Sequence, residues 1–324
     1  MSTTRLENVI VPVEFTSYLV QNIMKKSALF QSGVAVKNDL ITEQLRAGAE
    51  SFNVPYWMDL SDTEANIIND DPSQHSTPQG LNAIKQLVRK SFNHQSWSAM
   101  NLASELSGDD AMQRIKDRVS AYWTRQMQSR LISSLKGIMK QNIASNNSDM
   151  VYDASSEALS GKAVIRAAAT LGDHMETVKA IAMHSSIYTQ ALENNEIEFI
   201  RDSEGTLIMP AYKGLGVIVD DELLPDDEGV YTSILFGMGA VGFGVSDPRI
   251  ADGTEIENTP SAGMGGGQST LHSRINNAIH PLGFSWTEQS VAGQSPSIAE
   301  LADPLNWKRT VERKAAPIAF LLTK

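Results

Sequence analysis

No proline occurs between Pro78 and Pro210. Inside that window Met112, Ile115, Val119, Tyr122, Trp123, Met127, Leu131, Leu135 and Ile138 recur at helical spacing. The run predicts one helix from Asp109 to about Ile143, roughly 50 Å long at 1.5 Å per residue. Ser107-Gly-Asp-Asp110 ahead of it resembles a capping box, with acids suited to a helix N-terminus. Such a helix is longer than an ordinary globular domain needs, and it reads as a structural spine. Its charge is one-sided: Arg114, Lys116, Arg118, Arg125, Arg130, Lys136 and Lys140 face only Asp117 as an internal acid. That face is either solvated or turned toward an anion such as nucleic acid. Arg114, Arg118, Arg125 and Arg130 are the candidates for the second reading.

Residues 1–50, punctuated by Pro12 and Gly33, read as an arm with little capacity for a core of its own. A short helix is expected within it from Thr16 to Lys26. Residues 51–106 read as an extended loop. FNVPYWMDL has strand character, with Tyr56 and Trp57 as β-formers and Pro55 indicating an edge. The turn-rich NDDPSQHSTPQG follows, and LNAIKQLVRKSFNHQSWS returns. An isolated two-stranded ribbon is marginal in water, so this projection calls for a partner surface. Its charges are separated by sign. Asp59, Asp62, Glu64, Asp70 and Asp71 lie on the outgoing half, and Lys85, Arg89 and Lys90 on the returning half. They either pair within the hairpin or complement a neighbouring subunit. On the second reading these residues, with Tyr56 and Trp57, are subunit contacts.

Beyond the spine the pattern alternates. Helices are expected over Gly161–Leu171 and Ser185–Asn194, and strands over Lys179–His184, LIMPAY, LGVIVDD and Val230–Phe236. This is α+β patterning. From Gly237 onward glycine-rich, irregular structure is expected, apart from the apolar close APIAFLLT.

Composition removes several function classes. The formal net charge is -11, from 27 Lys+Arg against 38 Asp+Glu, the opposite of a dedicated DNA-binding protein. With no cysteine, disulfides, thiolate metal sites and thiol nucleophiles are excluded. There is no signal-peptide pattern at the N-terminus and no apolar run near the ~18 residues of a membrane span. A soluble cytoplasmic protein without membrane association is expected. Gly237, Gly239 and Gly242 form a literal G-x-G-x-x-G, but Pro248, Pro260 and the absence of helical period afterwards argue for turns over a dinucleotide site. Gly263 to Gln268 reads as a flexible loop before an anion cradle. No histidine pair has metal-ligand spacing, and Ser133-x-x-Lys136 looks like helix surface. Asp220-Asp221 and Asp226-Asp227 flank Pro225 in a turn. No nucleophile, base and orienter converge, so no enzyme, cofactor or metal is expected.

Several segments together resemble the major capsid proteins of tailed bacteriophages. They are LENVIVPVEFTSYLVQNIMKKSALFQSGV, FNVPYWMDL, NDDPSQHSTP, AYWTRQMQSRLISSLKGI, AIAMHSSIYTQALENNEIEFIRDSEG, GVIVDDELLP, YTSILFGMGAVGFG and GGGQSTLHSRINNAIHPLGFSW. They run in the family's order over nearly the whole chain. The resemblance implies the Hong Kong ninety-seven-type capsid fold, with an N-terminal arm (1–50), an extended loop (51–106), a peripheral domain with spine helix (107–160 and 226–324) and an axial domain (161–225). The implied function is self-assembly into hexamers and pentamers of an icosahedral head around double-stranded DNA. Implied partners are further copies of the chain, packaged DNA, a portal and a separate scaffolding protein, with room for a decoration protein. Assembly in the bacterial host cytoplasm and residence in the virion follow. An encapsulin-type compartment shell, which shares the fold, and a nucleotide-binding enzyme are the alternatives.

Overall fold

The computed structural model describes residues 29, 32–58, 60, 63–68, 70–201 and 207–324. The expected helix over Thr16–Lys26 lies outside them, as do Asp59 and Asp62. The chain opens with β1 (Ala35–Lys37), α1 (Asp39–Arg46), β2 (Ser51–Trp57), β3 (Ala83–Arg89), β4 (Ser91–Met100), α2 (Asn101–Ser107) and α3 (Ala111–Ser145). It continues through β5 (Val151–Asp153), α4 (Gly161–Ala169), β6 (Val178–Met183), α5 (Ser185–Glu193), β7 (Ile197–Arg201), β8 (Leu207–Tyr212) and β9 (Leu215–Val219). It closes with β10 (Tyr231–Gly237), β11 (Val241–Ser246), β12 (Thr254–Thr259), β13 (Gln268–Pro281), β14 (Phe284–Trp286), α6 (Ile298–Leu301), β15 (Trp307–Arg309) and β16 (Ile318–Thr323).

The spine is α3, an uninterrupted helix of 35 residues. Its cap is Asp110, whose carboxylate accepts from the Met112 and Gln113 amides at 2.9 and 3.1 Å. The expected cap at Ser107 is corrected: Ser107 ends α2, and Gly108 then takes φ +67°, a turn a glycine makes without a Cβ penalty.

A seven-stranded sheet, ordered β5-β16-β10-β6-β9-β8-β7, carries two cores on its opposite faces. Period-2 alternation decides which side chain joins which. Ala182, Ile234, Phe236, Ile318 and Phe320 pack with Leu131, Leu135 and Ile138 of the spine. Their neighbours Ile181, Met183, Leu235, Ala319 and Leu321 pack with Ala163, Val164 and Ala167 of α4 and Ile187 of α5. The sheet thus crosses the expected boundary at residue 225, because β5, β10 and β16 pair into the same layer as β6–β9.

A second sheet is ordered β1-β11-β13-β12, with β4 on the other edge of β13. Expected to be irregular, the stretch after Gly237 contains the 14-residue β13. QSTLHSRINNAIHP is too polar to advertise a strand. It is held because β4 pairs with it from Gln268↔Met100 to Asn277↔Ser91, while β11 and β12 share its opposite edge. The returning half of the expected projection is therefore divided. β3 stays with β2 in the ribbon, and β4 is seated in the body.

Gly242 and Gly244 lie within β11, beneath α1. A Cβ on Gly244 would stand 2.7 Å from Ile41 Cγ2 and 3.0 Å from the Thr42 nitrogen. These glycines let a helix approach the strand closely. The turn itself is made by Gly239, at φ +66°.

Candidate functional site

The ribbon β2–β3 pairs from Ser51↔Arg89 to Trp57↔Ala83. Among the described residues only its root has a core, a small cluster of Phe52, Val88, Ile41, Leu45 and Ala278. Toward the tip the apolar residues face outward: Trp57 is 65% exposed, Leu60 67%, Ile67 84% and Ile68 96%. Exposed apolar surface at the end of a two-stranded ribbon is unfavourable in water, and another surface can relieve it. Tyr56 is half-buried, while Glu64, Asp70, Asp71 and Lys85 are exposed. Asp71 is organised locally, accepting from the Ser73 amide and hydroxyl at 2.9 and 2.7 Å, which holds its carboxyl below the usual range.

Two of the returning cations are placed elsewhere than a subunit contact requires. Arg89 bridges Glu50 at 2.9 Å and Glu288 at 2.8 Å, with its own side chain 8% exposed. Lys90 is buried at the bend between β3 and β4. Its Nζ donates to the Ala47 carbonyl at 2.8 Å and lies 5.8 Å from the Phe52 ring centroid. Burial lowers its affinity for a proton. Both clamp the ribbon's root. Neither pairs with the acidic outgoing half among the described residues. Sequence pattern offered no sign of this, because Glu50 and Glu288 are remote from the hairpin's own turn.

Further polar bonds complete the root. The buried His280 Nε2 lies 2.8 Å from Gln86 Oε1, and Gln86 Nε2 donates to Thr310 Oγ1 at 3.2 Å. Burial pushes the His280 pKa down to about 4, so the imidazole is neutral near pH 7.

On the spine, Arg114, Arg118 and Arg125 are separated by 4 and 7 residues and fall on one side of the helix. Arg114 and Arg118 are exposed, Arg125 is half-buried, and Arg114 is also bridged to Asp109 at 3.0 Å. Arg130 is a correction. Expected on the same surface, it is 7% exposed and donates to Ser91 Oγ and the Pro296 carbonyl. It lies five residues past Arg125, about 140° around the helix on the body side. Aromatic rungs support this half of the spine: Trp97–Tyr122 and Tyr122–Trp123 centroids are each 5.1 Å apart, and Trp123 Nε1 donates to Ser273 Oγ.

At the far end of the spine, Arg309 grips Asp149 with two bonds of 2.7 and 2.8 Å, and Asn142 adds a third at 2.7 Å. Burial alone would raise the Asp149 pKa, but these donors hold it below the usual carboxylate range. Further back along the spine, Gln128 donates to Asp220, tying the helix to the end of β9. Among the described residues no three His, Asp or Glu side chains are grouped to hold a metal. No described helix is long and apolar enough to cross a membrane.

The geometry is one of joints and outward surfaces, and the comparisons with known proteins agree with it. A family model described as Major capsid protein 13-like, Gp13-like, matches residues 103–316. The chain is 34% identical over 320 residues to the major capsid protein of Bacillus phage SPP1, covering 97% of this chain and 96% of that protein. Among solved structures, the cyanophage Pam1 capsid asymmetric unit superposes with TM-score 0.60 at 10% identity, over 96% of each chain. The capsid of a native GTA particle gives TM-score 0.57 at 12% identity, over 98% of this chain and 97% of that one.

Proposed function

This chain belongs to the Gp13-like family of phage major capsid proteins, and from that premise we propose how its surfaces build a shell. Copies associate as hexamers and pentamers that close an icosahedral head around double-stranded DNA, without catalytic activity. The observation that carries this reading is the ribbon: Trp57, Leu60, Ile67 and Ile68 are exposed on a projection that, among the described residues, has no core beyond its root. A neighbouring copy covers them. Many such modest contacts, repeated over a closed lattice, give a stability that no one interface supplies. Glu64, Asp70, Asp71 and Lys85 extend the contact as charges that fix its register, and Asp59 and Asp62 are assigned to it by sequence. Arg89 and Lys90 act indirectly, by setting the ribbon's angle at its root.

Arg114, Arg118 and Arg125 face the shell interior, where they reduce repulsion from packaged DNA without reading its sequence. The same reading divides the chain into arm (1–50), extended loop (51–106), peripheral domain (107–160 and 226–324) and axial domain (161–225), with the seven-stranded sheet running across the boundary at 225. A portal, a separate scaffolding protein and a decoration protein are the further partners, and assembly takes place in the host cytoplasm.

Electron microscopy of the protein, expressed alone and with its neighbouring phage genes, tests the reading. Closed shells or hexamer sheets are expected, and dispersed monomers in both samples contradict it. Trp57→Asp is expected to abolish shells while the subunit stays soluble; an insoluble product places Trp57 in the subunit's own core instead. Reversing the charges of Arg118 and Arg125 is expected to impair genome retention. Normal heads with normal DNA content remove DNA from the role of the spine.

A further inference from the structure

Where the ribbon joins the body, a small, partly enclosed cavity of about 20 Å³ lies among β3, α3, β13 and the segment 286–307. Arg89, Arg130, Asn277, His280 and Trp286 give its wall a polar side, and no carboxylate lines it among the described residues. The two arginines differ. Arg89 is balanced by Glu50 and Glu288. Arg130 is buried against two neutral acceptors, Ser91 Oγ at 3.2 Å and the Pro296 carbonyl at 3.0 Å. Burial is the largest influence on its proton affinity and lowers it, and among the described residues no carboxylate offsets that.

Two further donors belong to residues of the same wall. Trp286 is 3% exposed, and its Nε1 is a buried donor with no acceptor among the described residues; Arg89 Nε is another. A buried cation without a counter-ion is among the least favourable arrangements in a protein interior. Buried donors without acceptors add to the penalty. A water molecule satisfies the donors and leaves the charge unbalanced. A small anion satisfies both. The volume exceeds the roughly 10–15 Å³ needed for one water, so the cavity has room for a single small ion in its place.

We propose that this cavity is a halide site, binding one chloride-sized anion between the Arg130 guanidinium, Trp286 Nε1 and Arg89 Nε. The anion joins three separate segments: the spine through Arg130, the ribbon through Arg89, and the strand β14 through Trp286. Halide concentration then contributes to how firmly the ribbon is held at its root.

The test is the thermal unfolding midpoint of the purified full-length chain, titrated with sodium bromide while sodium gluconate holds ionic strength constant. A saturable rise with bromide is expected, and chloride should reproduce it. Trp286→Phe removes the indole N–H and keeps a ring against Trp307, so half-saturation is expected to need about tenfold more halide. Arg130→Met is expected to abolish the response; should it fail to fold, Trp286→Phe carries the test alone. An anomalous bromide peak inside the cavity would agree. Equal midpoints in bromide and gluconate overturn the site and leave water as the occupant. A halide response unchanged in Trp286→Phe overturns it too, by placing the anion elsewhere.

Discussion

The two halves of α3 are continuous in backbone and opposite in circumstance. From Met127 to Asn142 the helix is embedded: Leu131, Leu135 and Ile138 are buried, and Gly137 is so close to the neighbouring chain that a Cβ would stand 2.7 Å from the Trp307 indole nitrogen. From Ala111 to Gln126 no residue is buried, and Met112, Ile115 and Val119 are only half-buried. One half is a wall of the main core. The other is a beam carried on aromatic rungs, with a basic stripe on its free side. A helix in a lone subunit has little reason to extend so far past its core, because helical stability comes chiefly from packing an apolar face. The extension makes sense in an assembled shell, where other molecules complete the packing.

The largest test of this contrast is truncation in each half. Leu135→Ala is expected to cost the subunit about 2–5 kcal/mol, whereas Val119→Ala should cost about 1 kcal/mol or less, by urea denaturation. Equal costs would remove the distinction between wall and beam.

The junction of the halves, where the ribbon's root meets the spine near Arg130, gives the next effect. His280 has a folded-state pKa of about 4 against an ordinary 6.5, so the unfolded chain takes up its proton first. The stability it preserves is whole above about pH 6.5 and declines as pH falls toward 4, by about 3 kcal/mol in total. His280→Gln keeps a donor for Gln86 and cannot titrate in this range. Wild type should therefore lose up to about 3 kcal/mol relative to the variant between pH 6.5 and 4. Parallel pH profiles would show that His280 charges without disturbing the root.

The smallest effect belongs to the beam's tip. Arg114→Ala breaks only an exposed bridge to Asp109 and should change subunit stability by less than about 0.5 kcal/mol. A loss of several times that amount would mean the tip is packed like the wall.

Much of this molecule was written in local pattern. A 3.6-residue period without proline determined the spine. Short apolar runs determined four strands of the seven-stranded sheet, β6, β8, β9 and β10, whereas β5 and β7 were not expected and β16 read only as an apolar close. Clustered turn formers between two β-rich runs determined the ribbon. Each of these is a property of residues near one another, set by backbone geometry and by which side chains share a face. The family resemblance was legible for a related reason, since the segments keep their order along the chain.

What the tertiary structure decided is where distant residues meet. β13 forms because β4, β11 and β12 satisfy its backbone, although its own composition is polar. Gly242 and Gly244 serve the approach of α1, which lies some two hundred residues earlier. Arg89, Lys90 and Arg130 looked like surface cations from their neighbours in sequence, and each was turned inward by partners a pattern could not supply: Glu50 and Glu288 for Arg89, Ala47 for Lys90, Ser91 and Pro296 for Arg130. A cation's fate is set by the dielectric and acceptors around its head group, at the end of a long flexible side chain. Those surroundings come into being only when remote segments pack, so they are properties of the fold and not of any stretch of sequence.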